Sequence, residues 1–192
     1  QHLYLSGIAI IVATVIGLFF GIAISEYKES SKFVLGFCNI IYTIPCISLL
    51  GFLLPVSGIG NTTAVIALII YALLPIIRNT YTGMTEIDAS MIEAAKGMGC
   101  TRFQLIYKVK FPLALPVILA GFRNMVVMTI SLAGIASYIG AGGLGLAIYR
   151  GITTNNQTMT VAGSLLIALL AILLDFLIGA YEKHLKKKRR LI

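Results

Sequence analysis

The pattern with the most chemical content lies between Glu93 and Pro112. Glu93-Ala94-Ala95-Lys96-Gly97-Met98-Gly99 is followed, after nine residues, by Val109-Lys110-Phe111-Pro112. These residues form no nucleophile–base pair and no metal-ligand set. Their types suit contact rather than catalysis. Ala94 and Ala95 leave no bulk at a surface, and Gly97 and Gly99 permit a sharp reversal with positive φ. Ile87, Met91 and Met98 offer apolar knobs for a groove on a partner. Glu93 offers an anion to a basic side chain or a backbone donor. The bland alternative is a connecting loop with surface charges.

Other candidates are sparser. Arg123 and Asp175 are charges inside apolar runs, where insertion costs on the order of 2.5–3.5 kcal/mol each. They are expected to form a structural ion pair between two helices, with Arg123 also a candidate to line a path or gate between helices. Gly140, Gly142 and Gly145 spell G-x-G-x-x-G, but no strand–turn–helix context supports a dinucleotide site. With Gly143 they instead suit a tight turn near an external mouth, acting as a gate, a contact or a plain turn. Tyr42, Tyr71 and Phe52 could present aromatic faces to a cation, and Pro45 and Pro75 free backbone carbonyls in apolar segments. Packing and passive kinking explain these residues equally well.

Several chemistries find no support. Cys38, Cys46 and Cys100 have neither zinc nor redox spacing, and their odd number argues against a disulfide framework. His2 and His184 are terminal and far apart, so no metal site is expected. No G-x-x-x-x-G-K-[ST] is present, so the chain is expected to bind no ATP and no other cofactor itself. No Ser–His or paired-Asp arrangement falls inside the apolar runs, so no enzyme activity is expected.

The elements that must position these residues follow from composition. The chain has 192 residues, of which 58% are hydrophobic and only 11% charged. That is too little charge to cover a soluble domain. Continuous apolar runs without period-two alternation indicate helices, each needing roughly 20 residues to cross a bilayer. Five spans are expected, at about 3–25, 33–54, 63–77, 113–138 and 160–181, in a single all-α transmembrane domain covering 1–192. The first is too long for a signal-peptide core and lacks a preceding basic segment, so it is expected to be retained. Gly17 and Gly21 form a small-xxx-small pair for close packing within it.

Charge sets the orientation. The net charge of +8 could suit nucleic acid, but the basic residues lie between apolar runs and at the C-terminus. With Lys186-Lys187-Lys188-Arg189-Arg190 inside, thirteen of the fifteen Lys and Arg residues are cytoplasmic and only Arg150 lies in an outer loop. The positive-inside rule then puts the N-terminus outside and the C-terminus in the cytoplasm. The basic tail would anchor the last span on anionic lipid, and no nucleic-acid partner is expected. The longest inner segment is expected to carry two short helices, capped at Thr85 (with Asp88) and at Thr101 (with Gln104). Glu93, Ala94 and Ala95 would end the first, Gly97 to Gly99 would hinge the two, and Pro112 would stop or kink the second.

The spacing from Glu93 to Pro112 resembles the E-A-A-x-x-x-G-x9-I-x-L-P signature of importer-type ABC permeases, with Val109 for Ile and Phe111 for Leu. Further stretches resemble permeases for glycine betaine, carnitine and choline. These are Tyr42-Thr43-Ile44-Pro45 through Leu49 to Pro55, Gly121-Phe122-Arg123, Ile139-Gly140-Ala141-Gly142-Gly143-Leu144-Gly145, and Leu173-Leu174-Asp175-Phe176-Leu177. The resemblance implies the importer-type permease fold, with 84–112 as a cytoplasmic coupling loop. Glu93, Ala94, Ala95, Gly97, Gly99, Val109, Phe111 and Pro112 would meet an ATPase. It also implies two ATPase subunits using ATP and magnesium, a second permease subunit, an extracellular binding protein and a bacterial cell membrane. A permease for methionine or another amino acid, or a self-sufficient secondary transporter, are the alternatives.

Overall fold

In a computed structural model, residues 1–189 are described, except for the side chains of Lys28 and residues 186–189. The basic run 186–190, expected to meet lipid, therefore lies outside the described side chains. The described residues are helical, with no strand. The helices are α1 (His2–Glu26), α2 (Lys28–Thr43), α3 (Cys46–Ser57), α4 (Asn61–Thr85), α5 (Ala89–Gly97) and α6 (Arg102–Gln104). A π-helical segment (Leu105–Lys110) then leads into α7 (Phe111–Ala133). A 3-10 turn (Ile135–Ile139), α8 (Gly145–Thr153) and α9 (Gln157–Arg189) complete the chain.

Four helical stretches are long and apolar enough to cross a membrane: α1, α4, Arg102–Ala133 and Gln157–Leu185. The pair α2 and α3 would make a fifth if counted as one broken span, bent by 99°. The continuous second span expected over 33–54 is thus corrected to two helices with a sharp corner. Pro45 causes the break by removing an N–H and by disfavouring helical backbone at the residue before it. Ile44 accordingly adopts φ −69° and ψ 125°. Tyr71 closes the corner by donating its hydroxyl to the Ile44 carbonyl.

The third span is longer than expected. It begins at Asn61 and continues through Arg78 and Asn79 to Thr85. Asn79 does not end it, because its Nδ2 donates back to the Pro75 carbonyl at 2.8 Å. Pro112 does not interrupt the fourth span either. It sits in the first turn of α7, where a missing N–H is tolerated, and the wider π-turn before it absorbs the misfit. The fifth helix overshoots the expected 160–181 at both ends, and the outer loop 139–159 contains α8.

The core lies where α1, α4, α7 and α9 meet, around Ala13, Ile76, Met125, Ile130 and Ala171. The seam between α1 and α4 is lined by small residues one turn apart: Ala9, Ala13, Gly17 and Gly21, all buried. A Cβ on Gly17 would fall 2.1 Å from Ile76 Cγ2, and one on Gly21 would fall 2.5 Å from Thr80 Cβ. The backbones thus meet at the closest approach that missing side chains allow, which is how helices gain contact in lipid. By contrast, only 17% of the apolar window of α9 is buried within the chain. Its outward Leu165, Leu169, Ile172 and Phe176 require lipid or a second chain to cover them.

The seam makes a contrast between two glycines. Gly21→Val should destabilise the protein by about 1–3 kcal/mol through overpacking, seen as a lower thermal unfolding midpoint in detergent. Gly36→Ala, in α2 with nothing within 4 Å of the added carbon, should leave the midpoint unchanged or raise it.

Candidate functional site: an exposed capped helix and the charges behind it

The helix α5 carries Glu93-Ala94-Ala95. It starts at Asp88, whose Oδ1 accepts from the Ser90 amide at 2.8 Å. Thr85 is not the cap. It lies at the end of α4 and donates its hydroxyl back to the Tyr81 carbonyl at 2.8 Å. The Ser90 amide bond holds the Asp88 carboxyl below the usual carboxylate range. The cap at Thr101 forms as expected. Thr101 Oγ1 accepts from the Gln104 amide at 3.3 Å, and Gln104 Oε1 accepts from the Thr101 amide at 3.0 Å.

The end of α5 explains the final glycine of the pattern. The Cys100 amide donates to the Ala95 carbonyl at 3.2 Å and the Gly99 amide to the Lys96 carbonyl at 2.9 Å. Gly99 has φ +81°. This is a Schellman termination, which needs a left-handed residue at that position. Gly97 does not share the role, since it is the last residue inside the helix and lacks a positive φ. The hinge is therefore Gly99 alone.

The two alanines differ in exposure. Ala95 is only 2% exposed, and α5 rests chiefly on the π-helical segment. Ala94 and Glu93 are exposed, as are Met91 and Met98, at 50% and 79%. Ala95 is thus turned toward its own chain. A turn of about 100° per residue cannot send neighbouring alanines the same way. Ala94 presents a flat outer surface and Ala95 seats the helix on its own chain. Farther along, Val109, Phe111 and Pro112 are half-buried. Phe111 stacks under Tyr107, and Tyr107 under Phe103, with centroids 6.1 and 5.6 Å apart.

The other candidates lie apart from α5, at a corner, at the glycine turn and at an ion pair. Tyr42 and Tyr71 meet at the Ile44–Pro45 corner, with ring centroids 5.7 Å apart. Tyr42 and Pro45 are exposed and Tyr71 is buried, while Phe52 points outward from α3. The glycine turn packs near that corner, its Ile139 and Ala141 sharing an apolar cluster with Tyr71. Its Gly142 amide donates to Asn61 Oδ1 at 3.2 Å. Gly140 and Gly143 have φ +76° and +121°, while Gly145 lies so close to the Gly134 carbonyl that a Cβ would reach within 2.0 Å of it. Sequence reasoning gave His2 no role, yet it is buried here, its Nε2 3.0 Å from the Ile130 carbonyl oxygen.

Arg123 and Asp175 meet directly. Arg123 Nε and Nη2 each lie 2.5 Å from an Asp175 carboxylate oxygen, and Nη1 lies 3.9 Å from Glu182 Oε2. Asp175, Gly179 and Glu182 share one face of α9. Gly179 leaves the guanidinium its space, since a Cβ there would sit 3.0 Å from Cζ. Glu182 was missed from the sequence because it reads as part of the charged end of the helix. Glu26 was missed as well, and has no local signal. Its partners Lys110 and Arg102 lie 84 and 76 residues away.

Comparison with known proteins fits this arrangement. Residues 13–190 match the family described as binding-protein-dependent transport system inner membrane component. The glycine betaine/carnitine/choline transport system permease protein OpuCB of Bacillus subtilis is 36% identical over 188 residues, covering 98% of this chain and 87% of its own. The carnitine transport permease protein OpuCD of Listeria monocytogenes is 40% identical over 194 residues, covering 99% and 87%. Among solved structures, an inward-facing methionine ABC transporter, MetNI, superposes with a TM-score of 0.87 at 25% identity, covering 96% of this chain and 92% of that one.

The end of α5 gives two tests. Gly99→Ala should cost about 1–2 kcal/mol for a left-handed non-glycine residue, read as faster hydrogen exchange at the Cys100 amide. Gly97→Ala should leave that amide as protected as before, or more so. The Asp88 cap contributes while its carboxylate is charged. Its contribution is present above the ordinary carboxylate pKa and is lost as pH falls through the depressed folded value, so acid should lower the protection of the Ser90 amide relative to the intrinsic exchange rate at the same pH.

Proposed function

The chain belongs to the family of binding-protein-dependent transport system inner membrane components, and from that premise we propose that it is the permease subunit of an ABC importer for osmoprotectant quaternary amines. Glycine betaine, carnitine and choline are the substrates named for its relatives. Those relatives are more alike in sequence than the methionine transporter, which favours the quaternary amines over an amino acid. As a multi-pass inner membrane protein it hydrolyses nothing itself. ATP and magnesium belong to two partner ATPase subunits. A second permease subunit would cover part of the apolar outer surface, and an extracellular binding protein would deliver the solute.

The observation that carries this reading is the exposed, doubly terminated α5, holding Glu93 and Ala94 outward on a spacing typical of coupling loops. In the proposed topology α2 and α3 make one broken span, giving five. The N-terminus lies outside and α5 inside, as the basic residues require. Glu93, Ala94, Gly97 and Gly99 form the ATPase contact, with Ala95, Val109, Phe111 and Pro112 holding the segment behind it. ATP-driven closure of the ATPases would push α5 and tilt the spans between inward- and outward-facing states. The likeness to an inward-facing transporter supports assigning the present arrangement to the inward state. The corner at Tyr42, Pro45 and Tyr71, with Phe52, would line the path. Gly140, Gly142 and Gly143 would shape its outer mouth, and Arg123 with Asp175 would hold α7 to α9 beside it.

Reconstitution with the cognate ATPase and binding protein tests this. Uptake of radiolabelled glycine betaine, carnitine or choline should require both ATP and the binding protein, and methionine should not be taken up. Ala94→Trp should abolish ATPase copurification and uptake while leaving the permease folded. Uptake that survives ATP depletion on an ion gradient, or undiminished ATPase binding in that variant, would sink the proposal.

A further inference from the structure

Behind α5 lies a cluster that no motif describes. Glu26, the last residue of α1, accepts from Lys110 Nζ at 2.6 Å and from Arg102 Nε at 3.3 Å. The Glu26 and Lys110 side chains are only 14% and 13% exposed, whereas Arg102 is 62% exposed. Most of the interaction therefore lies in the Lys110 arm, because exposed pairs contribute little. Arg102 also lies over the Tyr27 ring, with Cζ 5.5 Å from its centroid. A cavity of about 360 Å³ opens between this cluster and Ile92, Lys96 and Cys100 of the α5 region.

The π-helical segment makes the convergence possible. Two residues eight apart on a regular helix point about 80° apart. A π-turn takes up one extra residue, so positions 102 and 110 relate as if they were seven apart. The angle between them then shrinks to about 20°. Both cations consequently face the same carboxylate. Without the π-turn, one of them would turn away.

Mechanically, α5 rests chiefly on the π-helical segment, which continues into α7, and α1 packs most extensively on α4. A push on α5 thus reaches α7 along the chain and α4 through the α4–α7 packing, and Glu26 adds a direct link to the end of α1. We infer that Glu26 is a positioning residue for coupling: it clamps the segment carrying α5 to the first span, so that ATPase-driven movement shifts α1 and α4 together with α7. This rests on the permease reading. Removing the carboxylate leaves Lys110 partly buried beside Arg102 with no counter-charge from α1, which loosens the clamp.

The test uses the complete importer in proteoliposomes, with glycine betaine as probe, and compares E26Q, E26D, K110Q and the double variant E26Q/K110Q. In E26Q, substrate moved per ATP hydrolysed should fall about tenfold, within the usual range of coupling strengths, while ATPase copurification stays intact. E26D should restore much of the ratio, and the double variant should be no worse than E26Q alone. A wild-type ratio in E26Q, or losses from E26Q and K110Q that simply multiply, would overturn the inference. Should E26Q fail to assemble, E26D and K110Q carry the same comparison, and unchanged ratios in both would overturn it too. A wild-type complex with no binding-protein-dependent uptake would instead count against the permease reading.

Discussion

A bilayer core offers no water to a backbone amide or carbonyl, and the structure depends throughout on that constraint. Regular helix satisfies it over most of the chain. Several hydroxyl side chains within the spans bond back along their own helix, as Ser6 does to His2, Thr14 to Ile10 and Thr129 to Met125. Each departure from regular helix is closed by a specific device. The corner at Ile44–Pro45 is held by the Tyr71 hydroxyl, and the misfit before Pro112 is spread over a π-turn. These irregular places are also where the chain has room to do something other than span.

Charge obeys a related rule. Arg123 sits near the middle of α7, and its cost is met by a carboxylate held in two-oxygen geometry on α9. Gly179 provides the space and Glu182 stands a turn farther on. Nearer the end of the bundle, Glu26 does the reverse, with one acid serving two bases. Replacing the Arg123 pair with apolar residues of like volume would serve the stability of an ordinary fold about as well, since ion pairs taken out of water often do no better than break even. Their value here is orientation. A bidentate guanidinium fixes how α7 and α9 are rotated about their axes, which apolar packing against lipid-like surfaces does poorly.

Much of this was legible in the sequence, and the gaps have physical causes. The apolar runs gave the all-helical class because hydropathy is summed over many residues. The ends of those runs were misjudged where a polar side chain satisfies itself within the helix, as at Asn79. The second span was misjudged because hydropathy does not register a corner: the segment around Pro45 is apolar on both sides of it. At the site, the Thr101–Gln104 box was legible because both partners are local. The Asp88 cap was seen only as an accessory to Thr85. Glu26 was illegible, since a lone acid after an apolar run has no periodicity, and its partners meet it only through tertiary structure and a π-turn.

The division of labour in the Glu93–Gly99 pattern follows from helix geometry. In the proposed coupling role, a short helix needs one face against its own chain and another against its partner. Adjacent alanines satisfy both needs, because one turns in and the next turns out. Glycine at 99 ends the helix in the one conformation that sends the chain back toward Thr101, whose cap starts the segment leading into α7. Any larger residue at 95 would lift α5 from the π-helical segment, and any larger residue at 94 would hold a partner away. Under the proposed function the same pattern would serve whatever cargo passes between the spans, leaving specificity to be built elsewhere, at the corner near Tyr42 or in a protein that delivers the solute.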